Sequence, residues 1–349
     1  MKYCDFYFHL LIYKLYLQKK GLHKKYRRIF WFTQITLLGM LFSFPFQGYA
    51  LFSIIFSTLF LIASYWFFWF FRKNVTTKDK EKYSFKCINT ALWFMVVSSI
   101  GPWALGAIMN TLGATSIWYR LAIYFYLHFQ YNGWMILSLT GIFFYILEQR
   151  KIIISTEKFN IIFWLLCGGI IASFFLSTLF TEPHIILNVI GGIGGIFQFI
   201  AIWILVQLLV KQKKELTSSF SKFQFSILKT IGVLLFLKMG LQILTALPYF
   251  ADLAVSILDF TIGYLHWTFL GVITLSLFLF FDYFELLKIP KKGYYLYLIG
   301  FIATEAFIFF KGLIIWQNAP LFDGYFISLA IASLFIILGL SYIFITSFR

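Results

Sequence analysis

Charge is scarce in this sequence, and negative charge is scarcest. Only 13 Asp and Glu stand against 29 Lys and Arg, and the four types together make up 12% of 349 residues. A soluble domain of this length carries about a quarter charged residues. With so little polar surface the chain cannot cover itself in water, so lipid is the solvent that its composition calls for. Cysteine is nearly missing: Cys4, Cys87 and Cys167 form no CxxC pair, and Cys167 lies in an apolar run. Nothing there predicts a disulfide or a thiolate metal site. Long polar stretches are missing as well, which leaves no room for a separate soluble domain and predicts one integral membrane domain over 1–349. The formal net charge of +16 does not indicate nucleic acid, because the basic residues stand in short clusters between apolar runs. That pattern marks membrane orientation. No Walker loop, nucleophile–base–acid constellation or paired carboxylates for hydrolysis are visible.

Hydrophobic residues make up 61% of the chain, 47 of them Phe. A helix needs about 20 apolar residues to cross the hydrocarbon core. Runs of that length predict an all-α, polytopic membrane helix bundle with ten transmembrane spans, roughly 29–47, 50–71, 88–108, 119–147, 159–180, 185–210, 226–247, 252–281, 293–315 and 322–347. The first two are separated by the Gln47–Gly48–Tyr49 turn after Pro45. Backbone polar groups cannot face lipid unsatisfied, so each run is expected to be helical.

Alternate connections differ sharply in charge. One set holds Lys19, Lys20, Lys24, Lys25, Arg27 and Arg28, then Arg72, Lys73, Lys78, Lys80, Lys82 and Lys86. Arg150, Lys151 and Lys158, Lys211, Lys213, Lys214 and Lys222, and Lys288, Lys291 and Lys292 continue it, with Arg349 at the end. The opposite set holds almost no positive charge beyond Arg120. The positive-inside rule predicts a cytoplasmic C-terminus and an outside N-terminus. The Phe, Ile and Lys bias fits an AT-rich bacterial genome, hence a bacterial inner membrane. Residues 1–18 read as the inner portion of a further, partial span, with an interfacial helix as the alternative.

Ionisable residues inside membrane helices are functional candidates by default. His128 and His266 share a context: Tyr126-Leu-His128-Phe-Gln-Tyr-Asn-Gly133-Trp-Met-Ile-Leu-Ser138-Leu against Tyr264-Leu-His266-Trp-Thr-Phe-Leu-Gly271-Val-Ile-Thr-Leu-Ser276-Leu. Seven of these fourteen positions match without a gap. The two histidines lie four spans apart, on the fourth and eighth, and another step of four reaches the first segment. That spacing predicts a pseudo-threefold repeat of four-helix units, approximately 1–118, 119–251 and 252–349. Phe6-Tyr7-Phe8-His9 echoes the pattern, but no Gly follows five residues on, so His9 is not expected to be equivalent. Each repeat histidine is expected about 12 Å into its helix. Gly133 and Gly271 would let a neighbouring helix or a planar ligand come close. Paired imidazoles at matched depth suit the two faces of a haem iron. A hydrogen bond to a neighbouring helix, or a proton or ion path, would also explain them.

With these residues in view the chain resembles subunit I of the haem-copper oxidases. That family has twelve helices in a threefold arrangement of four, with ligand histidines on the second, sixth and tenth. The fourth and eighth spans here would correspond to the sixth and tenth. His128-Phe-Gln-Tyr131 is similar to the family's HFHY motif, though in a different repeat. The chain is also similar to uncharacterised oxidase-like membrane proteins of bacteria and to the NnrS haem-and-copper proteins. The resemblance implies b-type haem held by His128 and His266, a redox partner, and redox or gas (O2 or NO) handling. The family's adjacent His-His pair and HPEVY-type motif do not occur, so copper and four-electron oxygen reduction are not expected.

Other polar residues lie in the spans. Lys238, Asp259 and Glu305 fall on three consecutive spans at about 10 to 15 Å from their outer ends, which predicts one layer and a Lys238–Asp259 or Lys238–Glu305 pair. Gln242, one turn from Lys238, is placed in the same layer, and Asp259 could instead orient His266. Lys311 is expected to snorkel toward the surface. This layer supports the alternative reading, a membrane transporter or channel. In the run Gly191-Gly192-Ile-Gly194-Gly195, Gly191 and Gly195 read as a close helix-packing face, since no strand precedes them.

Overall fold

The computed structural model describes residues 2–18, 21–48 and 50–347, with side chains from Cys4 onward. Lys19, Lys20, Tyr49 and Arg349 lie outside the described residues. Every regular element among the described residues is helical. Among the described residues nine helical stretches are long and apolar enough to cross a membrane: Leu22–Gln47, Leu51–Asn74, Tyr83–Thr111, Thr156–Thr181, Ile185–Lys211, Lys222–Leu244, Leu258–Tyr283, Lys291–Trp316 and Tyr325–Ser347. The remaining expected span, 119–147, is also helical from Ile117 to Gln149. Its apolar run is diluted by Gln130, Asn132 and Gly133, which keeps it outside those nine. The chain divides by packing into two compact units, 1–149 and 150–349. The repeat units read from the sequence are a different partition.

Unit 1 begins with α1 (Lys2–Tyr16), too short to span, followed by α2 (Leu22–Gln47) and α3 (Leu51–Asn74). These two pair as an antiparallel hairpin, with Phe6 of α1 joining Leu37, Met40 and Phe60 in a buried cluster. A short α4 (Thr77–Lys80) leads to α5 (Tyr83–Ser98) and α6 (Ile100–Thr111). α4 is capped by the Thr76 side chain, which accepts from Asp79 N. Lys82 binds Asp79 at 2.7 Å beside it. Partial burial works against the Lys82 charge, yet the Asp79 hydrogen bond and charge prevail and hold its pKa above the usual lysine value. The unit closes with α7 (Ile117–His128), a π-helical segment (Phe129–Ile136) and α8 (Leu137–Gln149). α1 is no surface appendage: Phe8, Leu11, Ile12 and Leu17 are wholly buried within the unit.

Unit 2 holds α9 (Thr156–Ser173) with a 3-10 extension to Thr181, α10 (Ile185–Lys211), the short α11 (Lys213–Ser219) and α12 (Lys222–Leu244). After α13 (Pro248–Ser256) come α14 (Leu258–His266), a second π-helical segment (Trp267–Ile273), α15 (Thr274–Tyr283), α16 (Lys291–Trp316) and α17 (Tyr325–Ser347). Without a hydrophobic force between helices in lipid, small residues at the seams set the packing. At the α9–α10 seam a side chain on Gly194 would meet Ser173 N and Gly169 O, and one on Gly191 would meet Leu176. The glycine run is thus a packing face, tightest at Gly194. Gly293, Gly300 and Gly339 do the same between α16 and α17.

One expected span is broken. The run 252–281 is interrupted at Ile257, an extended residue (φ −110°, ψ 95°) between α13 and α14. Pro248 starts α13 as a separate helix, and Ser256 Oγ donates to Asp252 O at 2.7 Å, closing its last turn.

Candidate functional site

In unit 2 the polar residues of α12, α14 and α16 form two levels rather than one layer. Asp259 is the second residue of α14, because the helix restarts after Ile257. Counting from residue 252 places it about 10 Å deep. In the structure it meets the far end of α16, where Lys311 Nζ binds Asp259 Oδ1 at 2.8 Å. The expected Lys238–Asp259 pair is therefore not the one formed, and Lys311 pairs instead of snorkelling alone.

The second level lies deeper. Lys238 is completely buried, and its Nζ donates to Gln242 Oε1 at 2.7 Å. Tyr264 OH donates to the same oxygen at 3.2 Å, and Lys238 Nζ lies 5.7 Å from the Tyr264 ring centre. Gln242 thus joins Lys238, as the one-turn spacing predicts. Glu305 is 2% exposed and neither carboxylate oxygen has a hydrogen-bond partner. Its nearest ionisable neighbour is the imidazole of His266, with Nδ1 3.6 Å from Oε1 and 44% of the histidine side chain exposed. That separation is just beyond hydrogen-bonding reach. Buried polar groups are nearly always satisfied, so an unsatisfied carboxylate facing the equally buried and unsatisfied Nδ1 of His266 is a place where a proton or a cation finds ligands. The expected Lys238–Glu305 pair gives way here to Glu305–His266.

His128, in unit 1, is buried, and Asn132 Nδ2 approaches its Nδ1 at 3.4 Å. The two histidines share a backbone device that their sequences do not announce. Each is the last residue of an α-helix before a π-helical segment, Phe129–Ile136 after His128 and Trp267–Ile273 after His266. π-helical turns are rare and concentrate at functional sites. The matched glycines are equivalent too. A side chain on Gly133 would strike the Phe94 side chain at 2.7 Å, and one on Gly271 the Phe301 ring at 2.7 Å. Both gaps are filled by a phenylalanine of a neighbouring helix. At both glycines a neighbouring helix takes the space.

A third cluster escapes a reading based on histidine repeats. Asp5, 1% exposed, accepts from Gln130 Nε2 with both oxygens, at 2.8 and 2.9 Å. Trp134 Nε1 donates to it at 2.6 Å. Gln130 and Trp134 are four apart in the π-helical segment and present one face to α1. Ser98 Oγ completes the network by donating to Gln130 Oε1 at 2.8 Å. One turn along α1, His9 is 2% exposed, stacks on Phe67 with ring centres 4.0 Å apart, and has no partner for Nε2. The signal for this cluster is in the sequence, as the spacing of Asp5, His9, Tyr13 and Tyr16 along one face. It is hidden when 1–18 is read as a partial span.

Among the described residues no group of three or more His, Cys, Asp or Glu side chains is placed to hold a metal ion. No protein-family model matches the chain, and no curated protein does.

Proposed function

We propose that the chain is an integral membrane protein that carries a solute or ion across the bilayer, with Glu305 and His266 as its binding and protonation pair. The observation that carries this reading is the buried Glu305 carboxylate, unsatisfied on both oxygens and 3.6 Å from a half-exposed imidazole. An uncompensated carboxylate in a membrane interior costs several kcal/mol and is kept where it binds something. A proton shared between Glu305 and His266 leaves the pair neutral. A cation arriving at the carboxylate displaces that proton, which is the exchange that a coupled carrier requires. The basic connections support an inner membrane location, with the N-terminus outside and the C-terminus cytoplasmic.

The test reads protons. Proteoliposomes carrying a trapped pH dye are exposed to concentration jumps of inorganic cations and small charged solutes. A change of internal pH is expected for at least one, slowed by about 100-fold in Glu305→Gln, where the group that exchanges the proton is lost. The reading is wrong if no jump moves protons, or if the variant keeps the response.

A second reading, haem ligation by the repeat histidines His128 and His266, is supported within each unit by the α-to-π junction and by the polar group facing Nδ1, Asn132 or Glu305. Ligand histidines are commonly oriented in that way through their other ring nitrogen. The filled glycine gaps speak against it. Haem would supply an iron for electron transfer or gas binding, in a protein related to the haem-copper oxidases or the NnrS proteins. Purified protein supplied with haem is then expected to show a Soret band that His128→Ala and His266→Ala each abolish. A colourless protein rejects it.

A further inference from the structure

Unit 1 carries its own file of buried polar side chains, none of them part of the Glu305–His266 site. It follows α1. Asp5, His9, Tyr13 and Tyr16 are 1%, 2%, 6% and 3% exposed, and spacings of four, four and three residues keep them on one helix face. Buried faces of membrane helices are apolar as a rule, and a row of four proton-bearing groups on one is the exception.

Hydrogen bonds extend the row at both ends. At the Tyr16 end, Tyr16 OH donates to Ser84 Oγ at 2.6 Å, and Ser84 Oγ donates to Glu148 Oε2 at 2.5 Å. Glu148 is only half-buried. A parallel exit leaves from Tyr13, whose hydroxyl lies 3.3 Å from Nδ1 of the exposed His23. Both exits open at the end of unit 1 where α2 starts, α5 starts and α8 ends. At the Asp5 end the file passes through Gln130 to Ser98. A separate pair starts at the next residue, where Ser99 bonds Tyr65, whose hydroxyl accepts from Trp103 Nε1 at 2.9 Å, and the step from Ser98 to Ser99 needs a bridging water. Trp103 is half exposed. From Ser84 to Trp103 the file covers about 28 Å of helix rise, close to the roughly 30 Å of a hydrocarbon core.

We propose that this file conducts protons through unit 1. The geometry has the needed features. Asp5 is an acceptor held in place by three N–H contacts. His9 Nε2 is buried and has no partner. A histidine kept for structure alone would have that nitrogen satisfied, and a phenylalanine would stack on Phe67 equally well. The steps along α1 from Asp5 to His9 and from His9 to Tyr13 are one turn, about 6 Å of rise, a gap that a single water bridges. Each hop moves one proton and no electrons. Asp5 takes a proton and gives it to His9 Nε2. The imidazole passes it on toward Tyr13 and His23, or toward Tyr16, whose hydroxyl releases its own proton to Ser84 and Glu148 as it receives one. Phe67, Phe71 and Trp134 wall the file, so larger hydrated ions are excluded.

The experiment is passive proton entry into liposomes containing the full chain, driven by a potassium diffusion potential with valinomycin and read by a trapped pH dye. Wild-type vesicles are expected to acidify faster than protein-free ones. Asp5→Asn and His9→Phe each remove a group that takes up the proton and are expected to slow entry by about 100-fold. Tyr16→Phe alone leaves the His23 exit open and has a small effect, whereas Tyr13→Phe, which removes the one group within a turn of His9, and the double variant both close the file. Asp5→Asn and His9→Phe, which lie outside the Glu305–His266 site, are expected to keep the solute-driven response, so this proposal and the solute-carrier reading fail separately. Should Asp5→Asn or His9→Phe aggregate in detergent, the double tyrosine variant, which loses only two hydroxyls, decides alone. Wild-type entry no faster than in protein-free vesicles, or unchanged entry in the variants that fold, overturns the proposal.

Discussion

At the scale of single residues, partner choice inside the membrane depends on more than depth. Lys238, Asp259 and Glu305 are all ionisable and all sit in spans, yet each has its own neighbour. Asp259 takes Lys311, Glu305 faces His266, and Lys238 takes Gln242. Lys311→Met would leave the mostly buried Asp259 carboxylate without its cation, and breaking a buried pair from one side costs about 3 to 5 kcal/mol. The side chains keep 30% and 14% exposure, so a smaller loss is expected, about 1 to 2 kcal/mol after screening. Lys311→Met with Asp259→Asn is expected to recover most of it. Thermal unfolding in detergent checks this, and a single variant as stable as wild type contradicts the pair's role. The ionisable residues themselves were legible in the sequence, and so was Gln242, because a four-residue step on one helix fixes both depth and face. The Asp259 partner was not legible. Its depth was counted from residue 252, and only the extended Ile257 moves it to a helix start.

At the scale of elements, helix pairs here are held by shape before hydrogen bonds. Gln198 of α10 donates to Ser173 Oγ at 2.8 Å and to Gly169 O at 3.1 Å. Hydrogen bonds between membrane helices are worth about 0.6 kcal/mol on average, so Gln198→Leu is expected to cost about 1 kcal/mol. Gly194→Leu forces α9 and α10 apart where backbone meets backbone. Overpacking of this kind costs about 1 to 3 kcal/mol or more, so the glycine variant should unfold at the lower denaturant concentration. The opposite order would place the seam's strength in the glutamine. That the chain is an all-helical membrane bundle, and that Gly191 packs closely, were readable from composition and spacing. The π-helical segments were not, since Phe129–Ile136 and Trp267–Ile273 differ in most residues and contain no breaker other than one glycine each. α1 escapes for a different reason. Its fifteen residues fall short when measured against the thickness of a bilayer, whereas the informative quantity is the polar stripe on one face.

At the scale of the whole molecule, charge distribution is the feature that sequence settles best and packing describes least. The basic connections alternate with nearly uncharged ones along the entire chain. After the native cysteines are replaced, single cysteines at Lys80 and Ser218 are expected to resist a membrane-impermeant maleimide in intact cells. Cysteines at Thr115 and Ala319 are expected to react. The reverse pattern inverts the topology and moves the exits at Glu148 and His23 to the outside. The fourteen-residue windows around His128 and His266 each hold an α-to-π junction and a filled glycine. Those fillings have a consequence for how the chain can vary. Positions 94 and 133 make one steric unit, as do 271 and 301, and neither member can grow unless the other shrinks. Drift at these four sites is confined to joint exchanges.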